Sequence, residues 1–318
     1  MAYKKIAAEN VLLIPTKSRY ELELERWGTV DSTRRRFRSD VAWNNVIDGH
    51  YAQKENLAKI KDVSVFGESQ FVDRSFLTDE AIKNNDLFVF LGGDNHFTWC
   101  AQKILKYVQE TGDDEKYVVG VVLDPRKSFG GLLYYGIDQF LGNVENILGG
   151  DYRIENWTTL EANVMNENGD CMPYPAVGDY FVGEHDRTLM SRNELYLGGD
   201  KLDVPDKSSG ILFVAGAGSD DGSWYDNVHN IMFGSPDRFG KEEDFARVVL
   251  TENKSKTKFT LDKGQILVVD SYNDDNGKIK PDSHNDHSVD LSLGHRAEIK
   301  ISDMKLKVVN SSDYQIQR

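Results

Sequence analysis

Leu87-Phe88-Val89-Phe90-Leu91-Gly92-Gly93-Asp94 is the stretch whose reading decides the fold. Five apolar residues in a row, rich in aromatic and branched side chains and too few for a helix, read as a strand covered on both faces. Two glycines end it. An apolar-periodic segment from Phe97 to Val108 then reads as a helix. The same pattern recurs outward. Val11-Leu12-Leu13-Ile14, Val63-Ser64-Val65-Phe66 and Tyr117 to Leu123 read as further strands. Tyr20 to Lys61 reads as mostly helical, with spaced apolar residues from Val41 to Ile60. Leu77 to Ile82 looks like a helix start, with Thr78 as cap and acids in its first turn. Strands alternating with helices at this spacing predict a parallel α/β sheet.

Past Tyr135 the helical signals fade. Short β-like runs separated by Gly, Asp and Asn take over: Tyr180 to Val182, Glu194 to Leu197, Ile211 to Val214, Ile266 to Val269, Ala297 to Ile301 and Leu306 to Val309. They predict a mainly antiparallel β domain. The expected division is an α/β domain over 1–135, completed by 294–318, and a β-rich domain over 136–293. Asn273 to His287 is polar and reads as an exposed loop. His284, Asp286 and His287 within it have metal-ligand chemistry but read as solvated loop residues. Arg34-Arg35-Arg36 with Arg38 reads as a solvated helix face.

The chain has 318 residues, 39% hydrophobic and 11% aromatic, enough to bury packed cores. Its formal charge of −14 argues against nucleic acid as a partner. One nucleotide site is compatible with that charge, since it needs only a few local donors. The two cysteines, Cys100 and Cys171, make neither a disulfide framework nor a zinc cluster, and read as inert thiols. The first ten residues lack the apolar core of a secretion signal. No apolar run approaches the ~20 residues that span a bilayer. The expected location is the cytoplasm.

Gly92-Gly93-Asp94 is where chemistry is expected. Glycines let a backbone approach a bulky anion, and the amides of a following helix point at the same spot. In open α/β sheets ligands gather at the carboxyl ends of strands. A carboxylate there can accept a hydroxyl proton or hold Mg²⁺. The same three residues also suit an ordinary strand-to-helix turn with Asp94 as a helix cap. The chain has no G-x-x-x-x-G-K-[ST], and no G-x-G-x-x-G follows its first strand. A second glycine-rich stretch, Ser208 to Ser219, could cradle phosphate with backbone amides or could be a plain β-turn.

Together these segments resemble the NAD kinases, the mitochondrial-type branch above all. Gly92-Gly93-Asp94 matches the start of the family's Gly-Gly-Asp-Gly-Thr. Thr16-Lys17-Ser18-Arg19-Tyr20-Glu21 is similar to its Thr-x-Arg-Tyr-Glu segment, and Asp124-Pro125-Arg126-Lys127-Ser128-Phe129-Gly130 to its Asp-Pro-x-x-Ser-x-Gly. Lys207-Ser208-Ser209-Gly210 leads to Ala215-Gly216-Ala217-Gly218-Ser219, where the family has Thr-Gly-Thr-Gly-Ser, and Val268-Val269-Asp270 also recurs. The resemblance implies an NAD kinase/diacylglycerol kinase-like fold, with a Rossmann-like parallel sheet and then an all-β domain. It implies transfer of the ATP γ-phosphate, with Mg²⁺ accompanying ATP, to the 2′-hydroxyl of the adenosine ribose of NAD, in a homodimer. Asp94 would be the catalytic base. Gly92, Gly93, Asn95, Arg19, Asp124, Ser128, Asp179, Lys207, Gly216, Gly218 and Ser219 would bind the nucleotides. No side chain is assigned to a metal of the protein's own.

The chain departs from that pattern at five kinds of position. Asn95 and His96 replace Gly-Thr, Val122 stands where an Asn is usual, and Gly178-Asp179 replaces Asn-Glu. Ala215 and Ala217 replace threonines, and Asp220-Asp221 precedes Trp224. Two other functions are therefore carried alongside: a kinase of another nucleotide or a lipid on the same fold, and a non-catalytic NAD or nucleotide sensor.

Overall fold

The computed structural model describes residues 3–63, 65–124, 131–186, 188–274 and 276–310. These fall into two compact units. The first comprises the described residues of Met1–Cys100, Glu115–Ile154 and Val309–Arg318; the second those of Ala101–Asp114 and Glu155–Val308.

In the first unit β1 (Val11–Pro15), β2 (Leu87–Gly92) and β3 (Tyr117–Val122) pair in parallel, and β4 (Tyr135–Gly136) adds to β3. Val11 stands opposite Leu87, and Leu87 opposite Tyr117. All six residues of β2 and of β3 are buried, as continuous apolar runs require. Helices α1 (Arg19–Trp27), α2 (Val30–Arg34) and α3 (Asp40–Lys61) follow β1, and α4 (Asp79–Lys83) precedes β2. Their starts obey local chemistry. Ser18 and Glu21 form a capping box on α1, and Ser39 and Thr78 cap α3 and α4. Helix α5 (Asp94–Thr111) starts in this unit and ends in the other.

Two expectations fail here. The described residues of Val63 to Phe66 form no strand. Helix α3 runs to Lys61, leaving these residues only a turn, with Phe66 buried in the core. The edge of β1 finds other partners: the Gln70 carboxamide donates to the Ala8 and Val11 carbonyls, and the Val72 amide to Leu13. Second, the stretch after Tyr135 opens with α6 (Ile137–Gly149). Ile137, Phe140, Val144 and Ile147 are spaced for one helical face and are buried in the first unit's core. Val309, near the chain's end, is buried in that same core.

The second unit is built from two antiparallel sheets. It contains β5 (Arg153–Asn166, whose first two residues belong to the first unit), β6 (Gly169–Cys171), β7 (Asp179–Glu184), β8 (Ser191–Leu197), β9 (Asp200–Lys201), β10 (Lys207–Ser208) and β11 (Ile211–Val214). After α7 (Trp224–Phe233) come β12 (Phe245–Leu250), β13 (Lys258–Asp262), β14 (Ile266–Ser271), β15 (Gly277–Pro281), β16 (Val289–Asp290) and β17 (Arg296–Asn310, whose last two residues belong to the first unit). One sheet has the order β13-β12-β11-β7-β15-β16. In the other, β17 pairs β14, β14 pairs β8, and β8 pairs β10. Inward residues of both sheets, among them Leu160, Tyr180, Phe213, Leu267 and Ile299, form one buried cluster. Asn273 to His287 is not an open loop: it contains β15, paired to β7, and both His284 and His287 are buried.

Candidate functional site

The expected residues fall into two groups, one in each unit. In the first unit β2 ends at Gly92, and the Gly93 carbonyl accepts the amides of His96 and Phe97, opening α5. A Cβ on Gly92 would lie 2.9 Å from Thr16 Cγ2 and 3.1 Å from His96 Cβ. Only a glycine lets the segment after β1 pass this close. Asp94 is the first residue of α5, half-buried, and its Oδ1 accepts the Leu132 amide at 3.1 Å. That bond helps orient the carboxylate from a segment far away in sequence. Asn95 is exposed beside it.

His96 is buried, and its Nε2 lies 2.8 Å from the Ile14 carbonyl oxygen. Burial pushes its pKa down to about 4, so at neutral pH the ring is uncharged and Nε2 carries the proton that it donates to Ile14. The ring also lies within 4.0 Å of the Cys100 sulfur. His96 thus ties the end of β1 to the first turn of α5, a structural task for a position where the resembled family has Thr. Arg19 is exposed at the start of α1, its guanidinium 5.5 Å from the centre of the Phe37 ring. Asp124 is half-buried just beyond β3. Ser128 lies outside the described residues.

In the second unit Asp179 opens β7, opposite Val214 of β11. The glycine-rich segment follows Val214 as a 3₁₀ turn, Gly216–Ser219, and every residue of it is buried. A Cβ on Gly216 would lie 2.1 Å from the Gly240 oxygen, and one on Gly218 would lie 2.3 Å from the Gly178 oxygen. The Ala215 amide donates to the Gly178 carbonyl at 2.8 Å. Three backbone segments thus meet where no side chain fits. Ala215 and Ala217 are buried in place of hydroxyls. Ser219 Oγ accepts the Phe239 amide at 3.1 Å. The two extra acids are neutralised locally, Asp220 by Lys241 at 3.2 Å and Asp221 by Arg238 at 2.6 Å. The structure therefore brings Asp179, Gly216, Gly218 and Ser219 together. Lys207 is exposed on β10, beyond the other end of β11, and is not part of that group.

The sequence offered no signal for Asp282. Its Oδ1 accepts the amides of Gly178 at 2.6 Å and Asp179 at 3.0 Å, and its Oδ2 accepts those of Val177 at 2.9 Å and of the Gln102 side chain. Gln102 in turn meets His287 Nδ1, whose ring stacks 4.0 Å from that of Tyr174. A buried Oδ1 of Asp179 has no hydrogen-bond partner, and burial, with the Asp282 charge, pushes its pKa up to about 8. Among the described residues no group of three or more His, Cys, Asp or Glu could hold a metal ion, and no helix is long and apolar enough to cross a membrane.

Comparison with solved structures places this geometry. Over 99% of this chain and 91% of the other, the fold superposes on yeast NADH kinase, solved with NADH, with a TM-score of 0.64 at 12% identity. The chain shares the NAD kinase fold. It likewise matches an NAD kinase from Archaeoglobus fulgidus, solved with ATP, over 95% and 94% of the two chains, with a TM-score of 0.59 at 11% identity. No protein-family model matches the sequence, and no curated protein matches it. The shared architecture is an α/β sheet and an antiparallel β domain.

Proposed function

We propose that this chain is an NAD kinase-like phosphotransferase that moves the ATP γ-phosphate to the 2′-hydroxyl of the adenosine ribose of NAD. One observation carries the reading: a half-buried carboxylate, Asp94, stands directly after Gly92-Gly93 at the carboxyl end of the central strand of the α/β sheet, in a chain that shares the NAD kinase fold. Asp94 accepts the hydroxyl proton as the ribose oxygen attacks the γ-phosphorus and ADP leaves. The Leu132 amide, on Oδ1, helps hold Asp94 in place. Gly92, Gly93, Asn95, Arg19 and Asp124 serve nucleotide binding in the first unit, and Asp179, Gly216, Gly218 and Ser219 in the second; Lys207 stands apart from that group and has no part in it. When bound with ATP, Mg²⁺ would offset the triphosphate charge, and the carboxylate of Asp94 is a hard oxygen donor that could face it. The motifs favour descent from the mitochondrial-type branch, and the active form is a cytoplasmic homodimer.

A second reading is supported by the glycine turn. With Ala215 and Ala217 in place of hydroxyls and its backbone packed on Gly178 and Gly240, it suits a protein that binds NAD or a related nucleotide without phosphorylating it. The experiment that separates the readings is a screen of NAD, NADH and other acceptors against several phosphoryl donors for NADP(H) formation, with calorimetry in parallel. Turnover establishes the kinase. Tight binding with no turnover establishes the sensor. Neither binding nor turnover at millimolar nucleotide overturns both.

A further inference from the structure

Two aspartates meet at the start of β7, and their hydrogen bonds assign their charges. Asp282 accepts four N–H groups, two on each oxygen, which leaves no room for a proton of its own. Asp179 gives its amide to that carboxylate, and its backbone oxygen accepts the Asp282 amide at 2.8 Å. Its side chain has no such donors: Oδ1 is buried and unpartnered. On α5, Lys106 stands one turn beyond Gln102, its ammonium 5.5 Å from the centre of the Tyr174 ring. Across β11 the neighbour of Asp179 is Val214, and the residue against Gly178 is Gly218. His284 and His287 follow on the Asp282 segment, with His287 held to Gln102, and the buried Tyr180 hydroxyl is turned to the Tyr174 carbonyl at 2.8 Å.

We propose that Asp179 and Asp282 form an acid pair holding one proton, on Asp179, and that this proton keeps the Asp282 clamp closed on the amides of Val177, Gly178 and Asp179. A carboxylate with a buried, unpartnered oxygen does not ionise cheaply beside a second carboxylate, and desolvation and the Asp282 charge raise the pKa of Asp179 to about 8. The proton therefore leaves Asp179 only near pH 8. Once it has left, like charges face each other across the clamp. The backbone of Gly178 also supports the glycine turn through Gly218 and Ala215, so the clamp controls that turn as well. Control of nucleotide binding by this pair rests on the functional reading above. The clamp itself does not.

Amide hydrogen exchange on the full chain, without nucleotide, tests it. Corrected for intrinsic rates, protection of the Val177, Gly178 and Asp179 amides is expected to fall by roughly tenfold per pH unit from about pH 6 to 8 and then to level off, as loss of one proton requires. In Asp179→Asn, which cannot ionise, protection of the same amides stays flat across that range. Carbon-13 detection of the Asp179 carboxyl in the wild type gives the second measurement, which holds even if the variant folds poorly. A titration near pH 8 is expected. An Asp179 carboxyl that titrates in the ordinary carboxylate range, or clamp protection that does not change with pH in the wild type, overturns the proposal. So does an unchanged slope in Asp179→Asn.

Discussion

Asp94 and His96 stand two residues apart and are handled by opposite physics. Asp94 is only half-buried and is oriented by an amide from a distant segment. His96 is buried and uncharged. For a phosphotransferase, Asp94→Asn keeps the size and loses the proton acceptor. It is expected to lower kcat by about 10²–10⁴-fold with KM little changed, measured by NADP formation. The melting temperature should hardly move, since the residue is only half-buried and an asparagine oxygen can still accept the Leu132 amide. His96 gives a pH signature instead. Its folded pKa of about 4 lies below the 6.5 of an unfolded histidine. The unfolded chain therefore binds the proton first as pH falls. The stabilisation is fully present above pH 6.5 and is lost as pH drops toward 4, by roughly 3 kcal/mol in all. Urea unfolding from pH 7.5 to 4 checks this. Relative to the wild type, His96→Gln should flatten the fall over that window.

Glycines distinguish the elements in the same way. Gly142 lies inside α6, and a Cβ placed there would meet nothing within 4 Å. Gly142→Ala should stabilise the protein by about 0.5–1 kcal/mol, because alanine loses less backbone entropy in a helix. Gly218 is the reverse case. Its missing Cβ would press on the Gly178 oxygen at 2.3 Å, a backbone atom that cannot rotate away. Gly218→Ala should cost about 1–3 kcal/mol in urea unfolding, as overpacking does, and should weaken nucleotide binding as well. Equal, small effects of both substitutions would show that the turn is not packed this way. Helix α6 also shows what periodicity can reveal. Its apolar residues Ile137, Phe140, Val144 and Ile147 carry a helical signal in full, yet the β-like runs that follow outweigh it. Val63 to Phe66 shows the converse, since a short apolar run becomes a strand only where a sheet edge is left to pair with, and Gln70 and Val72 already serve that of β1.

At the scale of the whole molecule, a charge of −14 sets the terms on which an anionic ligand binds. If the chain binds ATP, Mg²⁺ should tighten binding in calorimetry and low salt should not, because the general field repels a polyphosphate while the cation neutralises it locally. At about 100 times its dissociation constant, a nucleotide should stabilise the fold by about 2.7 kcal/mol, read as a rise in melting temperature. Sequence alone determined the strands β1, β2 and β3, the cap on α4, and the placing of Asp94 after two glycines. Each follows from a local cause: unbroken apolar runs, a side-chain oxygen beside free amides, and residues without a Cβ. The antiparallel runs of the second half were legible for the same reason. Asp282 was not. It lies 103 residues from the Asp179 amide it accepts, and no spacing rule reaches that far. Nor could the sequence tell that His284 and His287 are buried, since a polar stretch reads as solvated until β15 pairs with β7 around it. Tertiary structure alone decided that Asp282 is ringed by N–H donors while Asp179 Oδ1 has none, because distant segments bring those donors to one place.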